Sequence, residues 1–196
     1  MGKTLEIRWH ARAGQGAVTA AKTFAEAALG EGKYIQASPE YGPERAGAPM
    51  RAFNRVADVP IRLYGQVQHP DVVVVVDPTL LMSEDVLEGT AAEATLLVNT
   101  PLSPAEVRTV MKMTDRKIFT VDATKIALEE IGKNFPNTPM LGAVARLAGQ
   151  FSVDSALAQV KASLGKKVPP QVVDGNLRAV QRGYGEVKGE GPDGLG

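Results

Sequence analysis

The residues best placed to do chemistry come early in the chain. Arg12-Ala13-Gly14-Gln15-Gly16 stands between an alternating apolar run and an alanine-rich helical pattern. A loop leading from a strand into a helix collects free backbone N–H groups at the positive end of the helix dipole, a setting that suits phosphate or carboxylate. Glycine lets a ligand approach the backbone closely. Its freedom at positive φ equally explains Gly14 and Gly16 as a tight turn packed under a helix, and both readings stand. A dinucleotide fingerprint is not expected. Thr19 occupies the place of its third Gly or Ala, and Gln36-Ala37-Ser38 falls where a ribose-binding acid would end the second strand. No Gly-Lys-Ser/Thr occurs, so a Walker loop is excluded.

A second candidate is Tyr41-Gly42-Pro43-Glu44-Arg45-Ala46-Gly47-Ala48-Pro49. Rigid turns that hold an aromatic and two charged groups can present a contact surface to a ligand or partner. The bland alternative is that Glu44 and Arg45 pair locally and merely fix the loop. Asp71 and Asp77 bracket five consecutive valines, and Asp77-Pro78 falls at a strand's carboxyl end, where ligands gather in open α/β sheets. An Asp before Pro is also a common turn former or helix cap. His69 precedes Pro70 in a loop, and no Ser/His/Asp or Cys/His spacing points to a nucleophile. No catalytic residue is expected in this chain.

These groups need a frame, and the pattern supplies one. Thr4 to Trp9 alternates as a strand, Ala17 to Leu29 is helical, and Tyr34 to Ala37 reads as a short strand. Ser38 to Pro49 breaks the pattern. Met50 to Val56 and Pro60 to Leu63, joined at Ala57-Asp58, read as an inserted hairpin. The valine run predicts a strand buried on both faces at the centre of a parallel sheet. Ser83 is expected to cap a short helix, followed by a strand over Thr95 to Val98. Ser103-Pro104-Ala105-Glu106 is a capping box with Pro at the first helical position, and Asp122 and Gly132 bound a helix after the strand Lys117 to Val121. Helices over about Thr138 to Phe151, Val153 to Leu164 and Asp174 to Tyr184 close the fold. The expectation is one α/β domain over residues 1–187, three-layered, with a mostly parallel central sheet, an inserted β-hairpin and C-terminal helices. Residues 188–196, rich in glycine, are expected to form a flexible tail.

Composition narrows the functions. The chain has 196 residues, 44% of them apolar, and 22 basic residues balance 22 acidic ones, so no surplus charge favours nucleic acid or an anionic membrane. Cysteine is absent, which removes thiolate chemistry and Cys-ligated zinc or iron–sulfur clusters from this chain. Two histidines are too few for an ordinary His-rich metal site. With no leader pattern and no long apolar run, a cytoplasmic location is expected.

Several segments in order resemble the gamma subunit of pyruvate and related 2-oxoacid:ferredoxin oxidoreductases, which is also a domain of the single-chain pyruvate enzymes. Arg12-Ala13-Gly14-Gln15-Gly16 is similar to that family's Gly-Arg-Gly-Gly-Gln-Gly opening, and Tyr41-Gly42-Pro43-Glu44-Arg45-Ala46-Gly47 to its Tyr-Gly-Pro-Glu-x-x-Gly segment. Asn137 to Ala143 and Asn176 to Tyr184 match its later helical landmarks. Ala11 and Ala13 replace two glycines of the family's loop. The resemblance implies oxidative decarboxylation of a 2-oxoacid, pyruvate foremost, to an acyl-coenzyme A, with electrons passing to ferredoxin. Thiamine diphosphate, 4Fe–4S clusters and coenzyme A are then expected in the complex with alpha, beta and delta partner subunits, and no cofactor is expected in this chain itself. The role implied for this chain is assembly or shaping of the active site. The residues it implies for cofactor contact are Arg12, Gly14, Gln15, Gly16, Tyr41, Gly42, Pro43, Glu44, Arg45 and Gly47. The competing readings are a stand-alone nucleotide- or coenzyme A-binding module and a pure scaffold.

Overall fold

Four valines form the centre of the molecule. In the computed structural model, which describes residues 4–40, 47–63, 65–113, 116–165 and 167–189, β4 (Val72–Val75) is wholly buried. It lies fourth in a seven-stranded sheet of order β2-β3-β1-β4-β5-β6-β7. Its parallel neighbours are β1 (Leu5–Arg12) and β5 (Thr95–Asn99), and β6 (Lys117–Val121) continues the parallel set. A strand covered on both faces has no polar face to show, hence the unbroken valines.

The two faces take different helices. On one side α1 (Ala17–Gly30), α4 (Ala123–Ile131), α5 (Asn137–Ala148), α6 (Val153–Leu164) and α7 (Pro170–Glu186) share a core with Ile7, Trp9, Val72 and Val74. On the other, α2 (Leu80–Ser83) and α3 (Pro104–Met111) cover Val73, Val75, Leu96 and Val98. This is the three-layer α/β plan expected, with a hairpin inserted between β1 and β4.

That hairpin is not the one the sequence suggested. It is β2 (Tyr34–Glu40) paired with β3 (Pro49–Ala57), and β3 also pairs antiparallel with β1. Residues 60–63 form no strand. The expected second strand is longer than Tyr34 to Ala37 and carries Pro39 within it, which an edge strand tolerates because one side of its backbone needs no partner. Ser83 ends α2 rather than opening a helix; Asp77 and Thr79 start that turn instead. Lys188 and Gly189, placed in the tail by the sequence, pair with Phe119 and Thr120 as β7.

One device fixes a helix to the sheet and another fixes two helices to each other. The buried Trp9 indole N–H donates to Asn54 Oδ1 (2.8 Å), and Asn54 Nδ2 donates to the Ala21 carbonyl (2.8 Å), so β1, β3 and α1 share one satisfied amide. The long helices α5 and α7 meet backbone to backbone. A Cβ on Gly142 would overlap the Val180 carbonyl oxygen, and one on Gly183 the Pro139 carbonyl oxygen. Thr138 Oγ1 donates to Asn176 Oδ1 at 3.1 Å across the same contact. The helical landmarks Asn137 to Ala143 and Asn176 to Tyr184 are therefore a packing seam.

The second face of β1 is unusual for a buried surface, since it carries arginines. Arg8 is 3% exposed and donates to the Val86 and Glu88 carbonyls, strapping the segment after α2 onto the sheet. Arg55 on β3 pairs with Glu6 (2.6 Å) and donates to the carbonyls of Gly65 and Gln66. Buried charge is tolerated here because each guanidinium is met by several acceptors.

Candidate functional site

β1 leads into α1 on one face of the sheet, whereas β4 leads into α2 on the other. A crevice opens between the carboxyl ends of adjacent strands whose connections diverge in this way, and open α/β sheets bind ligands there. The loop 12–16 and the turn 77–79 meet at that point.

The loop is held by its own side chains. Gly14 and Gly16 stand at φ 100° and 79°, which L side chains adopt only at a cost. Gln15 Oε1 accepts the Arg12 backbone N–H at 2.8 Å, and Gln15 Nε2 donates to Asp77 Oδ2 at 2.6 Å, so both ends of one amide are engaged. Asp77 Oδ1 accepts from the backbone N–H of Thr79 (3.0 Å) and from its hydroxyl (2.6 Å). Arg12 lies over the same group: Nε and Nη2 donate to Thr79 Oγ1 at 3.2 and 2.9 Å, Nη1 donates to the Gly47 carbonyl at 3.1 Å, and Nε stands 3.4 Å from Asp77 Oδ2. Burial alone would raise the Asp77 pKa. The bonds from Thr79 and Gln15, with the Arg12 charge, outweigh it and hold the carboxyl below its ordinary value.

Five predicted site residues thus come together: Arg12, Gly14, Gln15, Gly16 and Gly47. Gly47 and Ala48 pair with Ala13 through Gly47 N–H to Ala13 O (3.2 Å) and Ala13 N–H to Ala48 O (2.9 Å). Tyr41, Gly42, Pro43, Glu44 and Arg45 lie outside the described residues. Asp77 is the turn former the sequence suggested, and it is also the anchor of the glycine loop. Asp71 sits at the far end of β4, where Oδ2 accepts the Glu6 N–H at 2.9 Å. His69 contacts the Gly89 carbonyl through Nδ1 at 2.8 Å, away from the crevice.

Two participants escaped the sequence reading. Thr79 gave no signal beyond its place two residues after an aspartate, the spacing of an Asx turn. Asn137 enters from α5, where a Cβ on Gly16 would stand 2.7 Å from its Cγ. The second strand, moreover, does end in an acid, Glu40, because it runs three residues beyond Ala37. β3 separates it from β1, unlike the arrangement of a dinucleotide fold.

With these side chains engaged on one another, the outward offer of the loop is backbone. No side chain caps α1 and no acid stands in its first turn, so the N–H groups of Ala17, Val18 and Thr19 lie outside the helical ladder. Beside them opens a mostly apolar cavity of about 400 Å³, lined by Gly14, Gly16, Thr19, Asn137, Leu141 and Val172 among others. Such a site can hold an anionic head and an apolar arm; it contains no base–nucleophile pair.

The comparisons agree with this architecture. The model of the pyruvate ferredoxin/flavodoxin oxidoreductase family matches residues 6–186. The chain belongs to that family. It is 53% identical over 188 residues to the pyruvate synthase subunit PorC of Thermotoga maritima, covering 95% of this chain and 96% of that one. It is 45% identical over 180 residues to the pyruvate/ketoisovalerate oxidoreductases common subunit gamma of Pyrococcus furiosus, covering 92% and 95%. The crystal structure of the Thermotoga maritima pyruvate oxidoreductase subunit superposes with a TM-score of 0.85 at 48% identity, over 96% of this chain and 99% of that one. Among the described residues, no helix is long and apolar enough to cross a membrane, and no group of three or more His, Asp or Glu could hold a metal ion.

Proposed function

We propose that the chain is the gamma subunit of a 2-oxoacid:ferredoxin oxidoreductase acting on pyruvate, and that it positions a cofactor without performing chemistry itself. The observation that carries this is the match, over nearly the full length of both chains, to subunits named for pyruvate synthesis or oxidation. Thiamine diphosphate and 4Fe–4S clusters belong to the alpha, beta and delta partners, consistent with a chain that has no cysteine. Electrons leave through those partners to ferredoxin, in the cytoplasm.

Coenzyme A is the ligand that the loop fits. Its phosphates supply negative charge for the unpaired N–H groups of α1, and its pantetheine arm is long and weakly polar, as the adjoining cavity is. Gly14 and Gly16 would let the backbone approach, and Arg12, Gln15 and Gly47 would hold the loop in register. Tyr41, Gly42, Pro43, Glu44 and Arg45, which the family resemblance assigns to cofactor contact, are proposed to serve the same ligand. When bound, coenzyme A supplies the thiol that takes the acyl group; this chain's part is to bind and orient it. The relative from Pyrococcus furiosus is named as common to pyruvate and ketoisovalerate enzymes. That supports a division of labour in which oxoacid choice rests with other subunits. The stand-alone nucleotide-binding reading loses ground, since relatives of matching length are named as subunits.

Purification of the chain from its own cells without oxygen tests the proposal. Co-purifying subunits that reduce a viologen dye only with pyruvate and coenzyme A are the expected result. A lone chain that saturably binds adenine nucleotides would replace it with the stand-alone reading.

A further inference from the structure

On the face of the sheet opposite α1, the carboxyl ends of β1 and β2 and the amino end of β3 enclose a pocket of about 240 Å³ lined by His10, Glu40, Arg51, Leu80 and Glu84, together with Pro49 and Met50. Its polar groups are not all satisfied among the described residues. Glu40 Oε2 is buried and has no hydrogen-bond partner among them. Glu84 makes no side-chain bond or ion pair among the described residues, and it is half-buried. His10 is 2% exposed. Arg8 Nε donates to its Nε2 at 3.0 Å, so the ring proton sits on Nδ1, which has no partner among the described residues.

The charges do not balance either. Arg51 is shared with Glu88 at 3.7 Å. Arg8 is committed to His10 and two backbone carbonyls. Burial, and after it Arg8 and Arg51, hold His10 neutral, its pKa lowered to about 3. Among the described residues, two carboxylates therefore line a small recess whose one lining cation, Arg51, already stands beside Glu88, and Arg8 acts on Glu40 only at a distance, so negative charge is left over, although partly buried carboxylates are ordinarily paired.

We propose that this pocket is a socket for one lysine or arginine side chain of a partner subunit, which pairs with Glu40 and Glu84. The inference rests on the gamma-subunit reading, which provides the partner. Three observations select the occupant. The volume is below the roughly 300 Å³ at which small-molecule pockets begin, yet it admits one long side chain. The unmatched charge is negative, so the incoming group is a cation. The His10 Nδ1–H asks for an acceptor beside that cation, and the backbone carbonyl of the inserted residue is one.

The test uses the complex assembled from this chain and the other oxidoreductase subunits, carrying wild type, Glu40→Gln, Glu84→Gln or, as a charge control, the exposed Glu93→Gln. Dissociation of this chain is measured against sodium chloride concentration, together with the melting temperature of each isolated variant. Removing one partner of a desolvated charge pair should weaken retention about 30-fold or more for Glu40→Gln. Glu84→Gln should act in the same direction and Glu93→Gln should not. Isolated Glu40→Gln should melt no lower than wild type, because the buried oxygen it replaces has no hydrogen-bond partner among the described residues. An unchanged dissociation constant in an assembled complex overturns the socket while leaving the gamma reading intact. Equal losses in the isolated chain and the complex would make Glu40 a folding residue and also overturn it. A wild-type chain that joins no such subunits removes the gamma reading first, and the socket with it.

Discussion

Replacing Asp77 by Asn should unlock the glycine loop, and the cost can be worked from its bonds. Asp77 accepts on both oxygens: Oδ2 from Gln15 Nε2, Oδ1 from the Thr79 backbone N–H and hydroxyl. An amide has one oxygen, so an NH₂ group must face either Gln15 Nε2 or the Thr79 N–H, donor against donor. Gln15 cannot turn over to help, because its Oε1 already accepts the Arg12 N–H at 2.8 Å. One bond to a charged group is lost, about 1.5–3 kcal/mol. The Arg12 attraction at 3.4 Å adds only tenths of a kcal/mol, since that guanidinium is a third exposed. The sum is about 2 kcal/mol, or a fall of roughly 4–8 °C in melting temperature for a domain of this size. Urea unfolding of the isolated chain measures it, and a cycle with Gln15→Ala should show coupling of about 1 kcal/mol. The same variant should change the acid limb. A carboxyl with a depressed folded pKa contributes stability that is present above its unfolded pKa and lost as pH falls through the folded one, so wild type should lose this advantage below about pH 4 while Asp77→Asn does not. A variant within about 0.5 kcal/mol of wild type, with no coupling to Gln15, would show that these bonds do not hold the loop.

Other consequences can be checked on the isolated chain. Gly16→Ala should cost about 1–2 kcal/mol for its left-handed backbone, plus a steric part that Asn137→Ala relieves, so the double variant should be more stable than the sum of the singles predicts. Gly183→Ala should cost about 3 kcal/mol by forcing α7 from α5, read by denaturant unfolding. His10 should stay unprotonated with its proton on Nδ1 down to acid pH in ¹⁵N NMR spectra. Because its folded pKa of about 3 lies below the ordinary 6.5, the unfolded chain binds the extra proton between those values. Stability should then fall on acidification from about pH 6.5, by up to about 1.4 kcal/mol per unit, and His10→Gln should flatten that slope.

What the sequence made legible was local. The capping box at Ser103, the Asp122 and Gly132 boundaries and the alanine-rich α1 are set by neighbours within a turn, and the structure repeats them. The valine strand was legible because burial on both faces leaves no alternative pattern. The hairpin was misplaced because strand pairing is a choice between distant partners, and Pro39 looks like an interruption until an edge strand accommodates it. The site divides in the same way. Gly14 and Gly16 announce a turn, but the link from Gln15 to Asp77 spans 62 residues and Asn137 arrives from another helix. The alternation of Leu5, Ile7 and Trp9 marks Arg8 and His10 as the polar face of β1. That later segments bury this face is a tertiary event with no trace in the spacing.

Thr19→Asp separates a ligand site from a packing turn most directly. Thr19 is exposed in the first turn of α1, where an added carboxylate should stabilise the isolated chain by about 0.3–1 kcal/mol through the helix dipole. The same charge would stand where the coenzyme A phosphates are proposed to lie. The measurement is the KM for coenzyme A in the assembled oxidoreductase, beside the KM for pyruvate. The KM for coenzyme A should rise about tenfold or more, equivalent to roughly 1.4 kcal/mol, with the pyruvate KM unchanged and the chain at least as stable. An unaltered KM for coenzyme A, in a complex that assembles and turns over normally, would reduce the loop to packing and contradict the account.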